Sequence, residues 1–372
     1  MYSLQNARLL DRPGLHQLTL EADRLSAIDP MDAVQPSQDA LDLAGDWVSL
    51  GGLDLQINGA LGLAFPDLNP TNVGQLDAIG QFLWQQGVNG YCPTLVTTSI
   101  DKIHQAIEAI ASFSPTSNPT AEILGIHLEG PCLNRQKRGA HPAEFLQPLT
   151  IERLKTILAD YSPWVKIITL APELDPTGEV LPYLRHLGIT VSLGHSIATA
   201  DQAQAAFDQG ATMVTHAFNA MPGLHHREPG LLGAAILDDR VRCGFIADGQ
   251  HLDPRMIQIL WRSNPQGLFL VSDALSPLGL ADGRYPWDSR EIEVINGTAR
   301  LRDGTLSGTT LSLLTGVQNL VQWGVCSVEA AIALATVAPR EAIGLPTAYL
   351  RAPISQLLRW HSDHETLTWS RF

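Results

Sequence analysis

Four residues of types that can bind metals and move protons stand at similar places in this chain: Glu129, His195, His216 and Asp273. Each closes a short apolar run: EILGIHLEG, GITVSLGHS, ATMVTHAFN and GLFLVSDAL respectively. Divalent ions such as zinc take imidazole and carboxylate donors, and catalytic sites leave one position open for water. Glu129, His195 and His216 are three donors of that kind, and water at such a site drops towards a pKa of about 7. Asp273, at the end of a further run, would face that water. It could accept a proton and return it to a leaving amine. Taken singly, each residue reads more plainly as a hydrogen-bonding group at a strand end. Taken as a set at matching strand ends, they favour a metal site.

Other chemistry gathers near the same ends. THAFNAM runs past His216 to Asn219 and Met221, HHREPG carries His225, His226 and Arg227, and DGQH carries Asp248 and His251. Arg227 with His251 would suit a phosphate, the arginine through its fork of donors. The alternative for Arg227 is a surface cation paired with Glu228. His225 and His226 read as loop surface, Cys132 and Met221 as packing. GPCLNRQKRGAH places Lys137, Arg138 and His141 after the third run. His141 could polarise or orient a carbonyl, while Lys137 and Arg138 read as solvated. His127, two residues before Glu129, reads as packing or as support for the ligands.

These residues need elements that bring them together. From Gly51 onward, continuous apolar runs alternate with segments of helical period, the pattern of a buried parallel sheet covered by helices. Eight such runs can be counted, the first, VSLGGLDLQI, ending near Gln56 and Asn58. Their polar residues, Glu173 among them, sit at the C-terminal strand ends, where a (β/α)8 barrel places its function. A doubly wound open sheet is the alternative. The expected architecture is α/β: a TIM-like barrel over 51–344, with a small β-sandwich-like domain built from 1–50 and 345–372. A β-hairpin insertion is expected at about 276–308, because Asn296-Gly297 is a strong two-residue turn signal. The first 47 residues read as short strands broken by Pro13, Pro30 and Pro36.

The chain has 372 residues and a net charge of −14, which disfavours a nucleic-acid backbone or an anionic membrane surface as partner. A single phosphate on a small ligand needs only two or three local cations. Four widely spaced cysteines without a C-x-x-C fit reduced thiols. No basic segment followed by an apolar run opens the chain, and no run of about 20 apolar residues occurs. A cytoplasmic location is expected.

The motifs GGLDLQINGALG, HLEGPCLN with KRGAH, VSLGHSIAT, THAFNAMPGLHHREPG, IADGQHLDP, LVSDAL, LSGTTLSL and ATVAPREAIGL occur in this order. Together they resemble the N-acetylglucosamine-6-phosphate deacetylase family of the amidohydrolase superfamily, over about Gly51 to Gly344. The resemblance implies a hydrolase that removes acetate from a phosphorylated amino sugar, with Glu129, His195 and His216 holding the metal and Asp273 as acid/base. It implies that Ala140, His141, Asn219, Ala220, Arg227, Asp248, His251 and Leu306-Ser307-Gly308 line the substrate. It also implies a homodimer in which Arg227 or His251 serves the neighbouring subunit. Many amidohydrolases carry H-x-H at the end of the first strand, which builds a second metal position. Here Gln56 and Asn58 stand there; neutral amides are poor ligands, so one divalent ion is expected, zinc before iron, cobalt or nickel. The family's Gly/Asp/Val-rich C-terminal run has no counterpart after Gly344.

Overall fold

The computed structural model describes residues 2–35, 39–363 and 366–372. Pro36, expected to break a strand, lies outside them. Eight of the nine parallel strands of the central sheet form the barrel: β1 (Gly52–Ile57), β2 (Val88–Val96), β3 (Ile126–Glu129), β4 (Val165–Leu170), β5 (Thr190–Leu193), β6 (Met213–Val214), β7 (Arg242–Phe245) and β8 (Leu268–Leu270). They pair in chain order from β1 to β8. The ring closes just beyond β8, where Asn58 N–H donates to the Ala274 carbonyl at 2.7 Å and Asp273 N–H to that of Gln56 at 2.9 Å. An open doubly wound sheet would leave these groups apart. Every residue of β1 is buried, which explains why its sequence is apolar without alternation.

The flanking helices form where the period of the sequence asks for them. Ile100–Ser112 buries Ile103, Ala106, Ile107 and Ile110, one stripe of a helix. Ala200–Asp208, between His195 and His216, starts with a capping box in which Thr199 and Gln202 satisfy each other's backbone N–H. Inside the barrel, Leu53, Leu55, Ile167, Met213, Phe269 and Val271 pack together. The barrel is therefore filled, and its polar chemistry is confined to the mouth.

The insertion is larger than a hairpin. Gly283–Trp287, Arg290–Ile295, Thr298–Leu301 and Leu306–Thr309 make a four-stranded antiparallel sheet. Asn296 and Gly297 take φ of 50° and 75° at its central turn, the left-handed pair that such a turn requires. The outer strands GRYPW and LSGT carry no turn signal as clear, so the sequence did not reveal them.

A separate seven-stranded sheet packs on the barrel, adding Leu358, Trp360 and Leu367 to its hydrophobic cluster. It joins Tyr2–Leu9, Arg12–Glu21, Arg24–Pro30, Leu41–Asp42 and Trp47–Leu50 to Leu357–Ser362 and Leu367–Arg371. Pro13 does not break a strand; it is the second residue of one, where the pairing with Tyr2–Leu9 is irregular between Ala7–His16 and Leu9–Arg12. Trp360 is fully buried and its indole N–H donates to Ser49 Oγ at 2.8 Å. Among the described residues no helix is long and apolar enough to cross a membrane.

Candidate active site

Glu129 ends β3, His195 and His216 each lie two residues past their strands, and Asp273 lies three past β8. All four are buried. His195 Nε2 is 3.0 Å from Glu129 Oε1 and 3.0 Å from His216 Nε2, and His216 Nε2 is 3.1 Å from the same carboxylate oxygen. Three potential ligand atoms thus face one another within 3.1 Å. His195 Nδ1 lies 2.8 Å from the Lys137 carbonyl. A carbonyl only accepts, so Nδ1 carries the hydrogen and Nε2 of the neutral ring presents a lone pair. His216 Nδ1 is buried without a partner.

This donor set fits a divalent ion. A tetrahedral site with bonds of about 2.0–2.2 Å separates its ligands by roughly 3.3–3.6 Å, close to the spacings found. Glu129, His141 and His195 also offer ligand atoms within 4.8 Å of one another. His141 is the looser member, with Nε2 3.8 Å from Glu129 Oε1, so His216 is the better third donor.

Electrostatics follow from burial and from these contacts. Burial pushes the Glu129 carboxyl up, but the close imidazoles of His141, His195 and His216 outweigh it and hold the group well below the usual carboxylate range. Burial, then the neighbouring His141, takes His195 down to about 4. Burial lowers His216 too, but its bond to Glu129 and the charges of Glu129 and Asp273 leave it raised. Asp273 is pushed up to about 7 by burial and then by the Glu129 charge, against the pull of His216, His251 and Asn58. A carboxyl near 7 can both take and give a proton at neutral pH.

The mouth is also where the backbone is strained. His195, His216 and Asp273 have φ of 49°, 28° and 48°, a region that costs a non-glycine residue energy and recurs at functional sites. Asp273 is held by Asn58 Nδ2, which donates to Oδ1 at 2.7 Å, with Gln56 Nε2 at 3.4 Å. The two amides therefore face the aspartate. Gly308, at φ 151°, lets the insertion approach, since a Cβ there would lie 2.7 Å from the Asp273 carbonyl.

A cleft of about 890 Å³, including its open mouth, lies over the cluster. Asn58, Glu129, Ala140, His141, His195, His216, Asn219, Ala220, His251, Asp273, Leu306 and Ser307 all line it. Gln56, Asp248, Arg227 and Gly308 do not. Asp248 lies behind His251, with Oδ2 2.7 Å from Nδ1, which turns Nε2 to the cleft. Arg227 is exposed, its guanidinium 2.7 Å from His226 Nε2 rather than paired with Glu228. Lys137 and Arg138 are not simply solvated: Lys137 Nζ donates to the Met221 carbonyl at 3.1 Å and Arg138 to that of His141 at 2.7 Å. Both brace loops of the mouth. His127 bridges the Leu55 carbonyl and Thr169 Oγ1 inside the barrel.

The sequence reading missed several wall residues. Thr97 Oγ1 lies 2.8 Å from His141 Nδ1. Arg290 of the insertion donates to the Ala140 carbonyl at 2.7 Å, and Trp287 lines the cleft. Only the strand-end position of Thr97 could have flagged it; nothing in the sequence places the insertion over the loop of His141.

No family model matches the chain. It is similar to the bovine protein N-acetylglucosamine-6-phosphate deacetylase, 39% identical over 313 residues, covering 82% of this chain and 76% of that one. An Escherichia coli O157:H7 relative, N-acetylgalactosamine-6-phosphate deacetylase, is 33% identical over 345 residues, covering 92% and 89%. The crystal structure of N-acetylglucosamine-6-phosphate deacetylase from Pasteurella multocida matches at a TM-score of 0.86 with 29% identity, covering all of both chains. A mutant of the Mycobacterium smegmatis enzyme in complex with N-acetyl-D-glucosamine-6-phosphate matches at 0.85 with 26% identity, covering 100% and 98%. The chain belongs to the N-acetylglucosamine-6-phosphate deacetylase family. As a member of this deacetylase family it is a hydrolase acting on an amide, and its buried His/His/Glu cluster is compatible with a divalent metal ion. The likeness to the Pasteurella deacetylase extends over the small β domain as well.

Proposed function

We propose that the protein hydrolyses the acetamide of N-acetylglucosamine 6-phosphate to glucosamine 6-phosphate and acetate, a step of amino-sugar breakdown or recycling. The observation that carries this is the meeting of Glu129 Oε1, His195 Nε2 and His216 Nε2 about 3 Å apart, under a cleft that Asp273 also lines. The three donors would hold one divalent ion, which supplies Lewis acidity to the amide carbonyl and eases deprotonation of water. Asp273 takes a proton from the attacking water and delivers it to the nitrogen as the C–N bond breaks. Water thus gives its oxygen to the acyl carbon and its protons to the two products. His141 is fixed through Nδ1 by the Thr97 hydroxyl, so that Nε2 faces the cleft, where it orients the carbonyl oxygen. Asn58 and Gln56 keep the aspartate aimed.

His251, Asn219, Ala220, Ala140 and the Leu306-Ser307-Gly308 strand form the sugar-phosphate side of this reading, with Asp248 fixing His251. Arg227 lies outside its own cleft, so its proposed place is at the phosphate of a partner subunit in a homodimer. The ion is proposed to be zinc, with iron, cobalt and nickel sharing the donor set. Four cysteines free of disulfides support a cytoplasmic location. The Escherichia coli relative favours a second substrate, N-acetylgalactosamine 6-phosphate, which a direct competition assay would rank.

Acetate release from N-acetylglucosamine 6-phosphate should stop in chelator and return with added metal; a rate indifferent to chelator would overturn the assignment. The dephosphorylated sugar should react far more slowly, and equal rates would remove the phosphate role of His251 and Arg227.

A further inference from the structure

Glu173, in the turn after β4, lies outside the cleft lining, yet three donors from two loops end on its carboxylate. Oε1 accepts from Asn134 Nδ2 at 2.9 Å and from the Ile197 N–H at 2.7 Å, and Oε2 accepts from Ser196 Oγ at 2.6 Å. Both loops lead to the same imidazole. Ser196 and Ile197 directly follow His195, whose φ of 49° must be held against its own preference. Asn134 donates its backbone N–H to the His195 carbonyl at 2.9 Å, and its own carbonyl accepts from Lys137 N–H at 3.0 Å. Lys137 in turn offers the carbonyl, 2.8 Å away, that fixes which nitrogen of His195 carries the hydrogen. Ser196 and Asn134 are buried, so water cannot readily replace the carboxylate as their partner.

We propose that Glu173 is a positioning residue for the metal: it locks the backbone and the tautomer of His195 from both sides, so that Nε2 faces Glu129 and His216 as a ready donor. This rests on the reading of Glu129, His195 and His216 as metal ligands. A partner that orients a ligand typically accounts for about 10–100-fold in metal affinity. A residue that served only packing would change thermal stability and leave the metal's surroundings alone.

The test uses the full chain loaded with cobalt(II), followed by its visible absorption bands and by its release to a competing chelator. Glu173→Ala should weaken cobalt binding by about 10–100-fold and alter the band pattern of the fraction still loaded. Glu173→Gln keeps an acceptor for Asn134 and Ile197, and the Ser196 hydroxyl can turn to accept; it should recover most of the affinity. Wild-type affinity and bands in Glu173→Ala, even at a lower melting temperature, would overturn the proposal. If Glu173→Ala does not fold, Asn134→Ala, which removes one arm of the same lock, must show the weakened binding or the proposal falls. A wild-type chain that took up no cobalt would instead reject the metal-site reading itself, and this proposal with it.

Discussion

Asp46 in the small domain and Glu129 at the barrel mouth are both buried carboxylates that meet histidine, and they end in opposite situations. Asp46 takes Arg359 Nε at 2.6 Å and His361 Nδ1 at 2.8 Å, and His361 is two-thirds exposed. A guanidinium neutralises it and water reaches its neighbours, so the network is complete. Glu129 is met by imidazoles alone, two of them within 3.1 Å. They are buried and their backbones twisted into the left-handed region. The first arrangement needs nothing more. The second gathers more lone pairs than its own hydrogens can satisfy, and that surplus distinguishes a binding site from a structural ion pair.

The comparison can be broken most forcibly at the mouth. Asp273→Asn removes the proton carrier while leaving the three donors in place. Turnover should fall by about 10²–10⁴-fold with metal content unchanged; near-wild-type acetate release would end the acid/base assignment. His216→Ala removes a donor rather than its support. Metal retention on dialysis should fall by more than the roughly 10–100-fold typical of an orienting partner, and full retention would discard His216 as a ligand.

Asp54 sharpens the contrast because no cation among the described residues pairs with it. It is buried inside the barrel, and desolvation raises it to about 7 against bonds from Ser272 and Gln56 N–H. The folded chain therefore keeps a proton that the unfolded chain releases above about pH 4. Its ionisation costs stability progressively as pH rises from about 4 to about 7, and in full above that. Asp54→Asn should thus gain on the wild type between those values and hold a constant advantage beyond. Urea midpoints at pH 5 and pH 8 measure this, and a pH-independent difference would refute it. The smallest effect belongs to the satisfied network: Asp46→Asn should cost about 1 kcal/mol in unfolding free energy and leave kcat and KM untouched. A drop in kcat there would erase the distinction between the two regions.

Much of this was legible in the chain, for identifiable reasons. Buried parallel strands must be apolar throughout, so a polar residue closing such a run, as Glu129 and Asp273 do, stands out. Asn296-Gly297 acts within a few residues of itself and can be read locally. What stayed hidden depends on chain-distant encounters. Arg290 meets the Ala140 carbonyl 150 residues away, and nothing in GRYPWDSREIEV announces it. Glu173 was visible as a strand-end carboxylate, but its three donors come from two other loops. The left-handed φ of His195, His216 and Asp273 left no mark, because only glycine or asparagine advertises that conformation. Arg227 had the right chemistry for a phosphate, yet the loop that carries it points it away from its own cleft.

The sheet of the small domain has a consequence for synthesis. Its strand Trp47–Leu50 pairs with Leu357–Ser362, and Asp46 waits for Arg359 across 313 residues. At roughly 5–20 residues per second, a ribosome needs about 15–60 s to supply that partner. Through that interval the five N-terminal strands lack the two strands that complete their sheet. An unpaired strand edge is a template for pairing with other chains, and here it is covered only when Leu357–Ser362 docks on Trp47–Leu50.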